Sequence, residues 1–113
     1  MILATEEVTP GVTKINLSGR LDIAGAQAID LHFNVLVASQ RAIIVDLAEV
    51  AFIASMGLRT LILGARTVAS KRGRIVLYRP IPEVENVLVT SGTDTVVPIV
   101  HELDAAIRAV SGE

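Results

Sequence analysis

The chain has 113 residues, 51% of them hydrophobic, with a formal net charge of −2 and no cysteine. One domain's worth of apolar chain can build a core without disulfides or metal, and the missing thiols remove thiolate chemistry and most zinc sites. Aromatics at 3% and a densest cationic run of only Lys71-Arg72-Gly73-Arg74 speak against nucleic acid as a partner, which would require a broad cationic surface and stacking rings.

The N-terminus, MILATEEVTP, turns acidic before a signal-peptide core could form, and no apolar run is long enough to span a bilayer. The expectation is a soluble, cytoplasmic protein with no membrane insertion. Ile2 to Val8 is expected to pair as a hairpin, through Pro10-Gly11, with the alternating strand Thr13 to Leu17. Asp22 then precedes a helix from about Ile23 to Ala38, and Ala24, Ala28, Leu31 and Val35 are taken as its inward side, although Ile29, Phe33 and Val37 make another side apolar too. Ala42 to Leu47 reads as a strand, followed by a short turn and a second apolar patch, Val50 to Ile53. Leu58 to about Lys71 is an amphipathic helix with Leu58, Leu61, Ile62, Ala65, Val68 and Ala69 inward, stopped by Gly73. Arg74 to Tyr78 is a strand interrupted by Pro80 and Pro82, Glu83 to Thr90 a short helix, Thr95 to Val100 the last strand, and His101 to Val110 the last helix. Strands and helices in alternation argue for parallel units with right-handed crossovers. The strands alternate instead of being uniformly apolar, so the expected fold is α/β, a mixed, mostly parallel sheet with helices mainly on one face.

Ser55 stands immediately before the central helix. As its N-cap, it would accept from the first free N–H groups and contribute about 1 kcal/mol. It is equally an accessible hydroxyl at a place where added charge has large consequences. Around the same helix, Met56, Thr60, Leu63 and Thr67 lie opposite the inward stripe, with Arg59 and Arg66 flanking them. Met56 and Leu63 suit a partner groove, or else are covered by loops or scattered singly on the surface. Nothing in the sequence pairs Asp22 with Asp46, and Asp22 reads as a helix cap. His32 and His101 lack metal-ligand spacing. No base accompanies Ser55, no nucleophile elbow is present, and Gly57 and Gly64 lie on a helix and not in a phosphate loop. The chain is expected to be a substrate and a ligand, not an enzyme, and to need no cofactor.

Three segments carry a family resemblance: Leu17-Ser18-Gly19-Arg20-Leu21-Asp22; Val45-Asp46-Leu47 through Phe52-Ile53 with Ser55-Met56-Gly57-Leu58; and Val97-Pro98-Ile99 with the helix after it. In these the chain resembles the STAS family, the sulfate-transporter and anti-sigma-factor-antagonist domain, and most of all its free-standing bacterial anti-anti-sigma factors. The resemblance implies the fold of anti-sigma factor antagonists. It also implies that the serine after the motif aspartate, Ser55 here, is phosphorylated by a partner that is both serine kinase and anti-sigma factor, and dephosphorylated by a metal-dependent phosphatase. The motif aspartate is replaced by Ala54 and the second hydroxyl residue by Met56, which leaves Ser55 as the one acceptor in the motif. The expected partner surface comprises Asp22, Ser55, Met56, Gly57, Arg59, Thr60 and Leu63. The other reading is an interaction module in which Ser55 is never phosphorylated, such as a STAS subunit of a lipid-transport ABC complex or a sensory scaffold. A small-molecule or nucleotide-binding domain is a third class.

Overall fold

The computed structural model describes residues 1–112. Five strands, β1 (Ile2–Thr9), β2 (Val12–Leu21), β3 (Ala42–Ile53), β4 (Arg74–Tyr78) and β5 (Ile99–Val100), form one sheet in chain order. β1 pairs antiparallel with β2, and every other pairing is parallel. The hairpin turns at Gly11, whose φ of 84° is the left-handed conformation glycine adopts without strain. The helices are α1 (Ile23–Ser39), α2 (Ser55–Ser70), α3 (Pro82–Thr90) and α4 (Leu103–Ser111).

The parallel strands present Ile15, Leu17, Ile43, Val45, Leu47, Ile75 and Leu77 to one side, where α1, α2 and α3 close the main core over them. α4 alone covers the other side, burying Val12, Ile44, Val76 and Tyr78 under Ala106 and Val110. The mixed, mostly parallel sheet with helices mainly on one face is therefore what the chain forms. On α4's side, the sheet ends in a polar network. Lys14 Nζ lies 3.1 Å from Asp46 and 3.2 Å from Glu6. Burial of the ammonium opposes its charge, but these two carboxylate bonds together prevail and raise its pKa.

Four expectations are corrected. α1 turns Ala26, Ile29, Phe33 and Val37 inward, leaving Leu31 80% and Val35 55% exposed. Both stripes are apolar, but only the first contains a glycine, Gly25, whose missing Cβ lets the helix sit on the Arg20 carbonyl, and Phe33 buries the larger area. The turn expected after Leu47 does not form. β3 stays in the sheet through two irregularities in its pairing with β2, and Asp46 accepts from the Ala48 N–H at 2.9 Å across the first. The last strand is only Ile99–Val100, because Thr93–Thr95 form a 3-10 turn after Gly92. In α2, Leu61, Ala65 and Val68 are buried as expected, with Gly57 and Gly64, whereas Ala69 is exposed.

The end of α2 contains a built-in strain. The Gly73 N–H bonds the Val68 carbonyl and the Arg72 N–H the Ala69 carbonyl, each at 2.9 Å, so the left-handed position falls on Arg72, at φ 62°, and not on Gly73. Gly73 is required for a different reason, since a Cβ there would lie 2.6 Å from the Arg41 carbonyl oxygen. Arg72→Gly is expected to raise stability by about 1 kcal/mol by relieving the left-handed arginine. Chemical denaturation with an unchanged m-value would show it; an unchanged or lowered midpoint would contradict it.

Candidate functional site

The site forms where β2 and β3 end side by side, Leu21 pairing with Ile53. Each strand runs straight into a helix, so the first turns of α1 and α2 emerge together at the carboxyl ends of parallel strands. Two glycines allow this. A Cβ on Gly25 would stand 2.0 Å from the Arg20 carbonyl oxygen, and one on Gly57 2.5 Å from the Leu21 carbonyl oxygen. The Ala54 N–H donates to that same Leu21 carbonyl at 3.1 Å, locking the junction that precedes Ser55.

Asp22 caps α1 as expected, accepting from the Gly25 N–H at 2.8 Å. That bond holds its carboxyl below the usual range against the opposing effect of burial, and Arg20, with Nε at 3.5 Å, adds a smaller lowering effect. A depressed folded-state pKa contributes stability that is present above the unfolded value of about 3.9 and lost as pH falls through the folded one. Asp22→Asn keeps a capping oxygen but has no charge to titrate. Its melting temperature is expected to decline less steeply than the wild type's below about pH 4. Superimposable acid limbs would contradict this.

Ser55 is not the cap. Ala54 occupies that position, with φ −130° and ψ −176° and no side-chain bond to the helix, and Ser55 is the first helical residue. An alanine lacks the oxygen that would reach the first N–H groups, and α2 has no acidic residue in its first turn. The Ser55 side chain is exposed. Beside it Met56 is 39% and, two turns on, Leu63 is 44% exposed, so these two are surface residues. Arg59 is exposed, and Thr60 is half-buried with its hydroxyl returned to the Met56 carbonyl at 3.0 Å. Gly57 leaves the expected partner surface: it is buried, and its role is the close approach to Leu21.

Sequence reasoning missed Arg20 and Phe52. They are register partners on β2 and β3, and the guanidinium stands 4.1 Å from the ring centroid. Phe52 stays 38% exposed, so the strand ends next to Ser55 present an aromatic with a cation over it. Alternation alone would place an outward Phe there only if the bulges in β3 were known.

Two recesses adjoin the candidate residues. Ala26, Gln27, Asp30, Met56 and Thr60 line a shallow one of about 140 Å³ between α1 and α2. A groove of about 380 Å³ runs from Ser55 along α2. A cavity of about 440 Å³ at the opposite ends of the strands, among Gly11, Arg41, Arg72 and Arg74, touches none of them. Among the described residues, no group of acidic or histidine side chains could hold a metal ion, and no helix is long and apolar enough to cross a membrane.

The STAS domain family profile matches residues 4–106. This chain belongs to the STAS domain family. Among its relatives is BtrV of Bordetella bronchiseptica, assigned as an anti-sigma factor antagonist, 29% identical over 94 residues that cover 82% of this chain and 81% of BtrV. The crystal structure of an anti-sigma factor antagonist from Mycobacterium paratuberculosis superposes with a TM-score of 0.86 at 27% identity, over 97% of this chain and 93% of that one. The fold is also that of the Bacillus protein SpoIIAA, an anti-sigma factor antagonist. Its unphosphorylated form has a TM-score of 0.78 at 24% identity, covering 99% of this chain and 98% of that one. Its phosphorylated form has a TM-score of 0.71 at 24% identity, covering 95% and 98%. The matched span of this STAS domain, residues 4–106, includes the junction that carries Ser55.

Proposed function

We propose that this protein is an anti-sigma factor antagonist. It binds a cytoplasmic anti-sigma factor serine kinase while Ser55 is unmodified, freeing a sigma factor, and lets go when that kinase phosphorylates Ser55. A phosphatase acting on phosphoserine restores the binding form. The protein is a ligand and a substrate in this cycle, and catalysis belongs to its partners.

The observation that carries the reading is an exposed hydroxyl on the first turn of α2, flanked by the half-exposed Met56 and with Asp22 at the neighbouring helix start. A phosphate there adds roughly −1.5 to −2 charges. Within the domain, the first N–H groups of α2 tolerate that charge, because no side chain already occupies them. Under a docked partner, the phosphate would be stripped of water without a mate. A penalty of about 3 kcal/mol weakens binding by about two orders of magnitude, and no refolding is required. The relatives' assignment as anti-sigma factor antagonists supports the same reading.

Ala54 favours one alternative, a STAS interaction subunit of a lipid-transport complex or a sensory scaffold, since a kinase that reads an acid before the serine would find none here. Incubation with the cognate serine kinase and ATP separates the two. One phosphate is expected by intact mass, and none on Ser55→Ala. A wild-type chain that binds the kinase yet stays unmodified belongs to the scaffold reading.

A further inference from the structure

The groove along α2 has a chemistry of its own. Leu58, Ile62 and Leu63 form its floor and one wall, and Ser91 and Thr93, beyond α3, form the other. The second wall is tied into the fold: among the described residues Thr93 is the one buried polar side chain, its hydroxyl 2.8 Å from that of Ser91, which in turn bonds the Leu88 carbonyl at 3.1 Å. Arg59 and Arg66 stand on the α2 side, seven residues apart and so about 10 Å along the axis. Among the described residues neither forms an ion pair, in a chain whose net charge is negative. Two uncompensated guanidinium groups spaced along one side of an apolar floor are complementary to a segment of opposite pattern, and the groove reaches Ser55.

We infer that this groove receives an acidic amphipathic segment of the anti-sigma factor, with carboxylates about 10 Å apart meeting Arg59 and Arg66 and an apolar side chain between them on Leu58, Ile62 and Leu63. The inference rests on the function proposed above and adds the partner's chemistry to it. It also gives the phosphate a second effect. Ser55 precedes Arg59 by four residues, one helical turn, so a phosphate on Ser55 competes for the guanidinium that the partner's carboxylate needs.

The test titrates the 15N-labelled full chain with two amphipathic peptides that share their leucines and differ only in Glu or Lys at positions seven apart. The Glu peptide is expected to shift the amides of Leu58, Ile62, Leu63 and Ser91 and to bind about ten-fold more tightly than the Lys peptide. Arg59→Glu with Arg66→Glu should reverse that order, the milder Arg59→Gln with Arg66→Gln should abolish it, and Arg108→Glu on α4 should leave it unchanged. Equal binding of both peptides, no binding of the Glu peptide, or shifts elsewhere would overturn the inference. Affinity for the purified anti-sigma factor kinase separates the two levels. If the double arginine variants bind it like wild type, the groove is not its seat and the antagonist function stands. If wild type does not bind it while the Glu peptide still seats between the arginines, the function fails and the groove remains.

Discussion

Phe33→Ala is expected to destabilise the domain by about 3–5 kcal/mol, a large part of the 5–15 kcal/mol that holds a typical domain folded. Phe33 is 0% exposed and is the largest fully buried side chain. Its ring lies directly on the α2 backbone, since a Cβ on Gly64 would come 2.7 Å from Cε2 and 3.1 Å from Cζ. The ring and the glycine are thus one packing unit between α1 and α2. Gly64→Ala alone should destabilise, although alanine is the better helix former by about 1 kcal/mol, because the locked ring has nowhere to move. In the Phe33→Ala background the added methyl enters vacated space. The double variant is therefore expected to be more stable than the sum of the singles by about 1 kcal/mol or more. Denaturant titrations of the four proteins measure the coupling. Additive losses would mean that ring and glycine do not meet.

Gly25→Ala and Gly57→Ala should each destabilise by about 1–3 kcal/mol, opposite in sign to the usual effect of replacing a helical glycine with alanine. Both methyls would strike backbone carbonyls at the end of β2, those of Arg20 and Leu21, and the one on Gly57 would also meet the Leu21 side chain, with Cγ at 2.6 Å. The Leu21 carbonyl is additionally tied to the Ala54 N–H, so the junction cannot yield there without loosening the turn that presents Ser55. Gly25→Ala, with 2.0 Å against the 2.5 Å at Gly57, should be the more damaging. Melting temperatures test both. A rise in either would show that the helix starts are not seated on β2 as described.

The sequence disclosed the elements whose pattern has one reading. The hairpin over Pro10-Gly11, β4 and the amphipathic α4 form where alternation and helical spacing place them, and Asp22 caps because its oxygen is the first available acceptor before an apolar run. That Met56 and Leu63 lie off the inward side of α2 was legible for the same reason, whereas only the structure shows that no loop covers them, at 39% and 44% exposure. α1 was not, since both its faces are apolar and the choice was made by a close approach of Gly25 to the Arg20 carbonyl, a backbone contact that periodicity does not encode. The same kind of contact hid the role of Gly57, and the bulges of β3 hid the pairing of Arg20 with Phe52. The shift of the cap from Ser55 to Ala54 is one residue in register, yet it decides the chemistry: a capping serine would have its oxygen engaged with the helix, whereas a first-turn serine beside an alanine cap does not serve as the stopper.

The decisive measurement is the affinity of the anti-sigma factor kinase for the unmodified chain and for the chain phosphorylated at Ser55, alongside the melting temperature of each. The expected result is binding weakened by about a hundredfold or more, with a melting temperature essentially unchanged. Equal affinities, or a phosphorylated domain that releases its partner only because it has unfolded, would contradict the account.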